Sequence, residues 1–120
     1  MIAIKRAYDP SSRSDGTRIL VDRLWPRGIK KEKAHIEKWV RELGPSNELR
    51  QFFGHDPARW QVFRRRYLAE LKRSEARALL AELEEIAHKR TLTLIYGAKD
   101  PEHNQAVVLK ELLDKQLSHE

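Results

Sequence analysis

Two short apolar stretches constrain the fold of this chain most, because one is an apolar run without alternation and the other is dense in β-forming residues. Ile-Leu-Val stands unbroken in TRILVDR, residues 17–23, and TLTLIYGAKD, residues 91–100, is dense in β-forming residues. Unbroken apolar runs are typical of strands that are covered on both faces, as in parallel sheets. We therefore predict a strand covered on both faces in residues 17–23, and further strands in residues 91–100 and in MIAIKRA, residues 1–7.

Amphipathic segments with capping residues accompany these strands. We expect helices to begin at Ser46, Asp56, Ser74 and Asp100, because Ser and Asp cap helix N-termini and a proline follows both aspartates. Apolar residues three or four apart mark the inward faces of the last three helices: Trp60, Phe63, Tyr67 and Leu71; Ala76, Leu79, Leu80, Leu83 and Ile86; Ala106, Leu109, Leu112, Leu113 and Leu117. Strands interleaved with helices predict one α/β domain over residues 1–120 with a mostly parallel sheet.

Two stretches leave the topology open. The connection between the first two strands is shorter than the dozen or more residues that a parallel crossover usually needs. In HIEKWVREL, residues 35–43, Ile36, Trp39, Val40 and Leu43 fit a helical stripe better than an alternating strand. The period alone therefore favours a helix there.

Composition narrows the classes of function. The chain has 120 residues, a net charge of +6 and no cysteine, which excludes disulfides, thiolate nucleophiles and cysteine zinc sites. A basic excess attracts phosphate-bearing molecules without choosing among them. We find no metal-ligand spacing, glycine-rich phosphate loop or nucleophile elbow, and predict neither a metal nor a cofactor. Since no signal peptide or transmembrane run is present, we expect a soluble, cytoplasmic protein with no membrane contact. Oligomeric state is left open.

Candidate site residues follow the strands, because ligands of open parallel sheets bind beyond the carboxyl ends of the strands. Arg23, Arg27 and Lys99 would hold an anion, and His103 or His55 would move a proton. The other ligand-binding candidates are Trp25, Gly28, Tyr96, Asp100 and Asn104. Whether a reaction is catalysed is left open.

Each candidate also has a structural interpretation. Arg23 could instead pair with Asp22 or another carboxylate, and a place in the wall of the core or cleft explains Trp25 better than ligand stacking does. Residues 26–28 could be only a turn, in which Gly28 takes a positive φ angle. In the structural interpretation Asp100 is a helix cap, and His55 is a loop residue without a catalytic role. Arg64, Arg65 and Arg66 lie on different sides of a helix, so a solvated face explains them better than a phosphate-binding stripe.

Several motifs together resemble one known family. ILVDRLWPRG and LIYGAKDPEHN, with IKRAYDP, LGPSNELRQFFGHDP and VVLKELL, are similar to the domain-of-unknown-function family 488 (DUF488), in its YeaO-like subgroup. The resemblance covers nearly the whole chain and implies a Rossmann-like parallel α/β fold. It also implies a short strand within IEKWVREL, which we adopt against the period. The family's biochemistry is unassigned, so the resemblance implies no function.

The resemblance also marks positions of interest. Broader members of the family carry a cysteine at the end of the last strand and a Cys-His-Arg cluster in the following helix. This chain has Tyr96 at the first position and Asn104, Gln105 and Ala106 at the cluster, so thiol chemistry does not transfer to it. The residues that match the family's motifs are Asp22, Arg23, Trp25, Pro26, Arg27, Gly28, Gly54, His55, Lys99, Asp100, His103 and Asn104.

Three hypotheses of function follow. The first is an α/β domain that binds an anionic, phosphate-bearing small molecule at the carboxyl ends of its strands. The alternative is a nucleic-acid-binding module that uses a broad basic surface, with affinity that falls steeply with salt. A third is a module that binds a protein partner at the same rim. Convergence of Arg23, Arg27 and Lys99 in one concave pocket would favour the first hypothesis.

Overall fold

The computed structural model describes residues 1–118 and contains a four-stranded parallel sheet. The strands are β1 (Ile2–Arg6), β2 (Thr17–Leu20), β3 (Lys38–Trp39) and β4 (Leu92–Tyr96), in the spatial order β1-β4-β2-β3. The helices are α1 (Lys31–Ala34), α2 (Asn47–Phe53), α3 (Trp60–Glu70), α4 (Ser74–Lys89) and α5 (Gln105–Ser118). The predicted α/β class, with a small Rossmann-like parallel sheet flanked by helices, is confirmed.

The short first connection is explained by the strand order. β1 and β2 are not neighbours, because β4 lies between them and pairs with both. Residues 7–16 return the chain across β4 with only one turn of 3-10 helix, Arg13–Asp15, in place of a crossover helix. The connection must therefore be fixed to the sheet by side chains.

Asp15 supplies that attachment on one face of the sheet. Its buried carboxylate accepts hydrogen bonds from Arg18 Nη1 at 2.7 Å and Lys5 Nζ at 3.1 Å, and its carbonyl accepts one from Thr93 Oγ1 at 2.6 Å. Arg18, itself 5% exposed, also donates to the carbonyls of Ala34 and His35. Three strands and two loops thus meet at one ion cluster.

Residues 35–43, whose apolar spacing predicted a helix, contain a short strand instead. Lys38 and Trp39 pair with Ile19 and Leu20 of β2, and Val40 N donates to Leu20 O. The expectation of a strand is therefore confirmed, and the helical interpretation is wrong. A 3-10 turn, Arg41–Leu43, follows at once, so the apolar spacing reflects a strand that runs directly into a turn.

Helix starts agree with the sequence at two of the expected caps. Ser46 accepts a hydrogen bond from Leu49 N, and Asp56 accepts one from Ala58 N ahead of the turn that leads into α3. α4 begins at Ser74 as expected, but no side chain caps it, so the capping role predicted for Ser74 is wrong. The start predicted at Asp100 is also wrong, because α5 begins only at Gln105.

The apolar core lies between the sheet and helices α3, α4 and α5. Phe53 of α2 stacks on Phe63 of α3, which stacks on Tyr67, and α5 contacts β1 and β4. The predicted inward faces contribute these buried residues: Phe63, Tyr67, Leu71, Ala76, Leu80, Leu83, Ala106, Leu109 and Leu113. Among residues 1–118, no helix combines the length and apolar character that crossing a membrane requires.

Candidate ligand-binding cleft

A cleft of about 730 Å³ lies at the carboxyl ends of β2 and β4. Its walls come from the loop after each of these strands, from the end of α2 and from the start of α5. The predicted site residues that line it are Arg23, Trp25, Arg27, His55, Lys99, Asp100, His103 and Asn104. Gly28 and Tyr96 are not among its lining residues.

Arg23 has a structural role in this arrangement. Its guanidinium donates to the carbonyl oxygens of Gly44 at 2.7 Å and Pro45 at 3.1 Å. No salt bridge joins Arg23 to a carboxylate within the described chain, so the alternative of a pair with Asp22 is not what the fold adopts. Two of the five N–H donors of Arg23 are committed to holding the loop before α2.

Arg27 lies on a tight turn that projects it to the surface. Ile29 N donates to Pro26 O, and Gly28 has a φ of 80°, as the third residue of a type II turn requires. The Tyr8 hydroxyl donates to Arg27 O at 2.7 Å and fixes the turn to the end of β1. The exposed Arg27 side chain has no hydrogen bond or ion pair with any of residues 1–118.

Trp25 supports the same turn. Its Nε1 donates to Ile29 O at 2.6 Å, and its ring meets that of Trp39 edge to face at 5.5 Å. Trp39 Nε1 in turn donates to Asp22 O. Trp25 is therefore both a wall of the cleft and a packing residue, as the structural interpretation expected.

The residues after β4 divide into a core group and a cleft group. Tyr96 is only 3% exposed and belongs to the core, where burial raises the pKa of its phenol. Lys99 is exposed and lines the cleft. Asn104 is buried and takes the capping position of α5, since its Oδ1 accepts from Val107 N and its Nδ2 donates to Asp100 O.

His103 is held by Asp100, which caps a turn before α5 rather than α5 itself. Asp100 Oδ1 accepts from the amides of Glu102 and His103, and Asp100 Oδ2 lies 2.8 Å from His103 Nδ1. The Glu102 amide and the His103 ring lower the pKa of this carboxyl. An ionised carboxylate favours the tautomer protonated at Nδ1, which leaves Nε2 as the acceptor. The ring also meets Trp60 edge to face at 5.2 Å.

His55 is less constrained than His103. It is exposed, has a φ of 58° directly after Gly54, and its ring centre lies 6.3 Å from that of Phe53. It lines the cleft from the loop that follows α2.

Asp22 also lines the cleft; the family resemblance marked its position, but no binding role was predicted for it. Its Oδ2 accepts from Gly97 N at 2.9 Å and its Oδ1 accepts from Gln105 Nε2. Burial raises the pKa of this carboxyl from 3.8 to about 6, against the lowering effect of both hydrogen bonds and of Arg50. Two sequence signals pointed to this residue: it matches a motif of the family, and it is an acidic residue directly after an apolar strand, which indicates a carboxylate at a sheet edge.

Replacing Gly97 by alanine is expected to disturb this carboxylate. A Cβ atom there would lie 2.8 Å from Asp22 Oδ2 and 3.4 Å from Pro26 Cβ. We expect a loss of about 1–3 kcal/mol in the free energy of unfolding, the usual cost of inserting a carbon into a packed site, measured by chemical denaturation.

Gly28→Ala is the matched control, because a Cβ there meets no atom within 4 Å and only its φ of 80° opposes the change. We expect that variant to lose about 1 kcal/mol in the free energy of unfolding. A Gly97→Ala protein as stable as the unaltered chain would contradict the close approach of Gly97 to Asp22.

Comparison with known proteins agrees with the resemblance. A family model described as the inactive DUF488-N3 subclade matches residues 1–120. The chain is 48% identical over 112 residues to the uncharacterized protein YeaO of Escherichia coli (strain K12), which covers 93% of this chain and 96% of YeaO.

Mycobacterial proteins match the chain over a similar length. The uncharacterized proteins Mb3100c of Mycobacterium bovis and Rv3073c of Mycobacterium tuberculosis are each 35% identical over 113 residues, covering 94% of this chain and 93% of theirs. Comparison with solved structures gives no significant match. The chain therefore belongs to the DUF488 family, as a YeaO-like member of the inactive DUF488-N3 subclade.

Proposed function

We propose that the cleft binds an anionic, phosphate-bearing small molecule and does not turn it over. The observation that carries the proposal is the position of Arg27 and Lys99. These two exposed cations follow β2 and β4, line the same cleft, and form no ion pair with a described residue. Some cations have acidic partners, as Arg18 has Asp15 and Arg64 has Glu111, whereas exposed cations such as Arg65 have none within residues 1–118, so the shared position in the cleft is what distinguishes Arg27 and Lys99. Unpaired cations at a concave surface raise the local concentration of anions.

The remaining predicted residues take supporting parts in this proposal. Arg23 shapes the wall by holding the Gly44 and Pro45 carbonyls, while His103 offers Nε2 to the ligand. Trp25 positions the turn that carries Arg27. We keep Gly28 and Tyr96 as structural residues of the turn and of the core.

Binding without turnover is supported by two facts. The family model that matches the whole chain is described as inactive, and the chain has no cysteine at the positions where broader family members carry one. His103 and His55 remain predicted proton carriers only, since the described residues that line the cleft include no serine, threonine or cysteine for them to activate.

The nucleic-acid alternative gains no support from the arginine run of α3. Arg64 pairs with Glu111 of α5 at 2.9 Å, and Arg66 lies over the Phe52 ring at 5.1 Å. The run therefore serves contacts between elements rather than one flat basic surface. The position of Arg27 and Lys99 in a concave site favours a small molecule.

Replacing Arg27 by alanine is expected to weaken binding of phosphate-bearing ligands by about 1–3 kcal/mol, the scale of a hydrogen bond to a charged group. Titration of inorganic phosphate and of glycerol 3-phosphate, followed by amide chemical shifts of residues 22–28 and 97–105, measures the effect. Shifts confined to these residues would place the anion in the cleft.

Arg65→Ala is the matched control, because it removes the same charge from an exposed position outside the cleft. We expect it to leave both titrations unchanged. Equal weakening by the two substitutions would mean that net charge alone attracts the anion. A steep salt dependence with duplex binding, lost in Arg65→Ala, would support the nucleic-acid alternative instead.

A further inference from the structure

We propose that the ligand of this cleft carries a hydrogen-bond donor, a hydroxyl or an ammonium group, beside its anionic group, and that Asp22 is the acceptor for that donor. The inference rests on the proposed function, because it assigns a second recognition element to the same cleft. Arg27 and Lys99 would take the anionic group, and Asp22 would select among anions.

The carboxylate of Asp22 is fixed in direction before any ligand arrives. Gly97 N, at the end of β4, binds Oδ2, and the Gln105 side chain, at the start of α5, binds Oδ1. A carboxylate has about four acceptor positions, so these two bonds leave about two unused. Because Asp22 lines the cleft and is only partly covered, the unused positions can be reached from it.

No cation neutralises this carboxylate within the described residues. Arg50 is near enough to lower the pKa of Asp22, but its guanidinium donates to Asn47 Oδ1 at 2.7 Å and forms no salt bridge with Asp22. Lys99 and Arg27 line the same cleft without a salt bridge to Asp22 either. A partly buried carboxylate without a cation partner is costly, and a donor supplied by a ligand would compensate that cost.

The carboxylate also discriminates against simple anions. Two negative charges in one cleft repel each other, and the repulsion is stronger than in water because the site is partly desolvated. A ligand that puts a hydroxyl or an ammonium against Asp22 and its phosphate against Arg27 and Lys99 avoids this repulsion. The cleft therefore fits a hydroxylated or amino-substituted phosphate ester better than phosphate alone.

The Asp22→Asn variant tests the inference, because asparagine keeps the shape and removes the charge. The probes are methyl phosphate, which has no added donor, glycerol 3-phosphate, which has hydroxyls, and phosphoethanolamine, which has an ammonium group. For the unaltered protein at pH 7.5 we expect at least one donor-bearing probe to bind about 10-fold more tightly than methyl phosphate. For Asp22→Asn we expect that probe to lose about 10-fold to 100-fold in affinity, while methyl phosphate binds equally or more tightly.

The two donor-bearing probes separate the two sources of the donor. A preference for phosphoethanolamine would identify an ammonium ligand, and a preference for glycerol 3-phosphate a hydroxylated one. Asp114→Asn is the matched control, since it removes the same charge from an exposed position of α5 outside the cleft. We expect it to leave the order of affinities unchanged.

Two results would overturn the inference, and they differ from each other. If the probes bind in the cleft but Asp22→Asn changes all three affinities by one factor, Asp22 acts only through its charge and the proposed function survives alone. If none of the probes binds the unaltered protein or the variant, the proposed function fails and the inference fails with it.

Discussion

Replacing Asp15 by alanine is expected to lower the free energy of unfolding by about 3–5 kcal/mol, the cost of breaking a buried ion pair by removing one partner. Arg18 is only 5% exposed and would keep its charge without the 2.7 Å contact to Asp15. Lys5 would lose its carboxylate partner in the same cluster. The effect is large because the connection of residues 7–16 has no helix of its own to hold it against the sheet.

Equilibrium denaturation in urea measures this loss. Asp114→Ala is the matched control, because Asp114 also pairs with a lysine, Lys110, but with 47% of its side chain exposed. Exposed pairs contribute at most about 1 kcal/mol. Similar destabilisation by both substitutions would contradict the assigned role of the Asp15 cluster.

The pH dependence of the Asp15 contribution follows from its pKa. Burial alone would raise the pKa of this carboxyl, but the Ser12 amide, Lys5 and Arg18 outweigh burial and lower it from 3.8 to about 2. Because the folded-state value lies below the unfolded one, the contribution is present above pH 3.8 and is lost as the pH falls through about 2. The loss amounts to about 2 kcal/mol, and Asp15→Asn should remove this part of the acid sensitivity.

Replacing Asp22 by asparagine is expected to have the opposite effect and to stabilise the protein by about 2–3 kcal/mol at pH 8. The pKa of Asp22 is raised by burial to about 6, above its ordinary value of 3.8. The folded protein therefore holds this proton more tightly than the unfolded chain does. Stability is then full below pH 3.8 and falls as the pH rises through about 6.

Asparagine can keep both hydrogen bonds of Asp22. Its Oδ1 can accept from Gly97 N, and its Nδ2 can donate to Gln105 once the Gln105 amide turns its oxygen toward it. Denaturation curves at pH 5 and pH 8 should differ for the unaltered chain and agree for the variant, apart from other titrating groups. A variant less stable than the unaltered chain at pH 8 would mean that the Asp22 charge supports the fold.

The two aspartates differ in their partners, which separates the structural role expected of Asp15 from the ligand-binding role proposed for Asp22. Asp15 has two cation partners and is expected to stabilise the fold, whereas Asp22 has no salt bridge among the described residues and is expected to lower stability at neutral pH. A residue that costs stability at the wall of a cleft is a common property of binding sites. This contrast is the physical basis for assigning Asp22 a part in ligand recognition.

Much of the fold could be predicted because it depends on local patterns. An unbroken apolar run indicated β2, a high density of β-forming residues indicated β4, and the spacing of Trp60, Phe63 and Tyr67 indicated the inward face of α3. The start of α5 was predicted at Asp100, but the helix begins at Gln105. An Asp-Pro pair can cap an isolated turn as well as a helix, and Asp100 caps such a turn. Residues 38–39 were recovered as a strand through the family resemblance, since a two-residue strand has no period of its own.

The location of the candidate site could be predicted better than the role of each residue in it. The rule that ligands bind beyond the carboxyl ends of parallel strands located the cleft, and Arg27, Lys99 and His103 line it. Sequence could not show that Arg23 would be engaged by the carbonyls of Gly44 and Pro45, which are 21 residues or more away. Nor could it show that Tyr96 would be buried in the core.

The sequence by itself determined the parallel α/β class, the inward faces of the long helices and the loops from which a site is built. Tertiary structure alone decided the strand order, the burial of Asp15 with Arg18, and the meeting of Asp22 with Gly97 and Gln105. The physical reason is the distance along the chain over which each effect acts. Periodicity and capping act over a few neighbouring residues, whereas desolvation and hydrogen bonding of a carboxylate depend on groups 75 and 83 positions away.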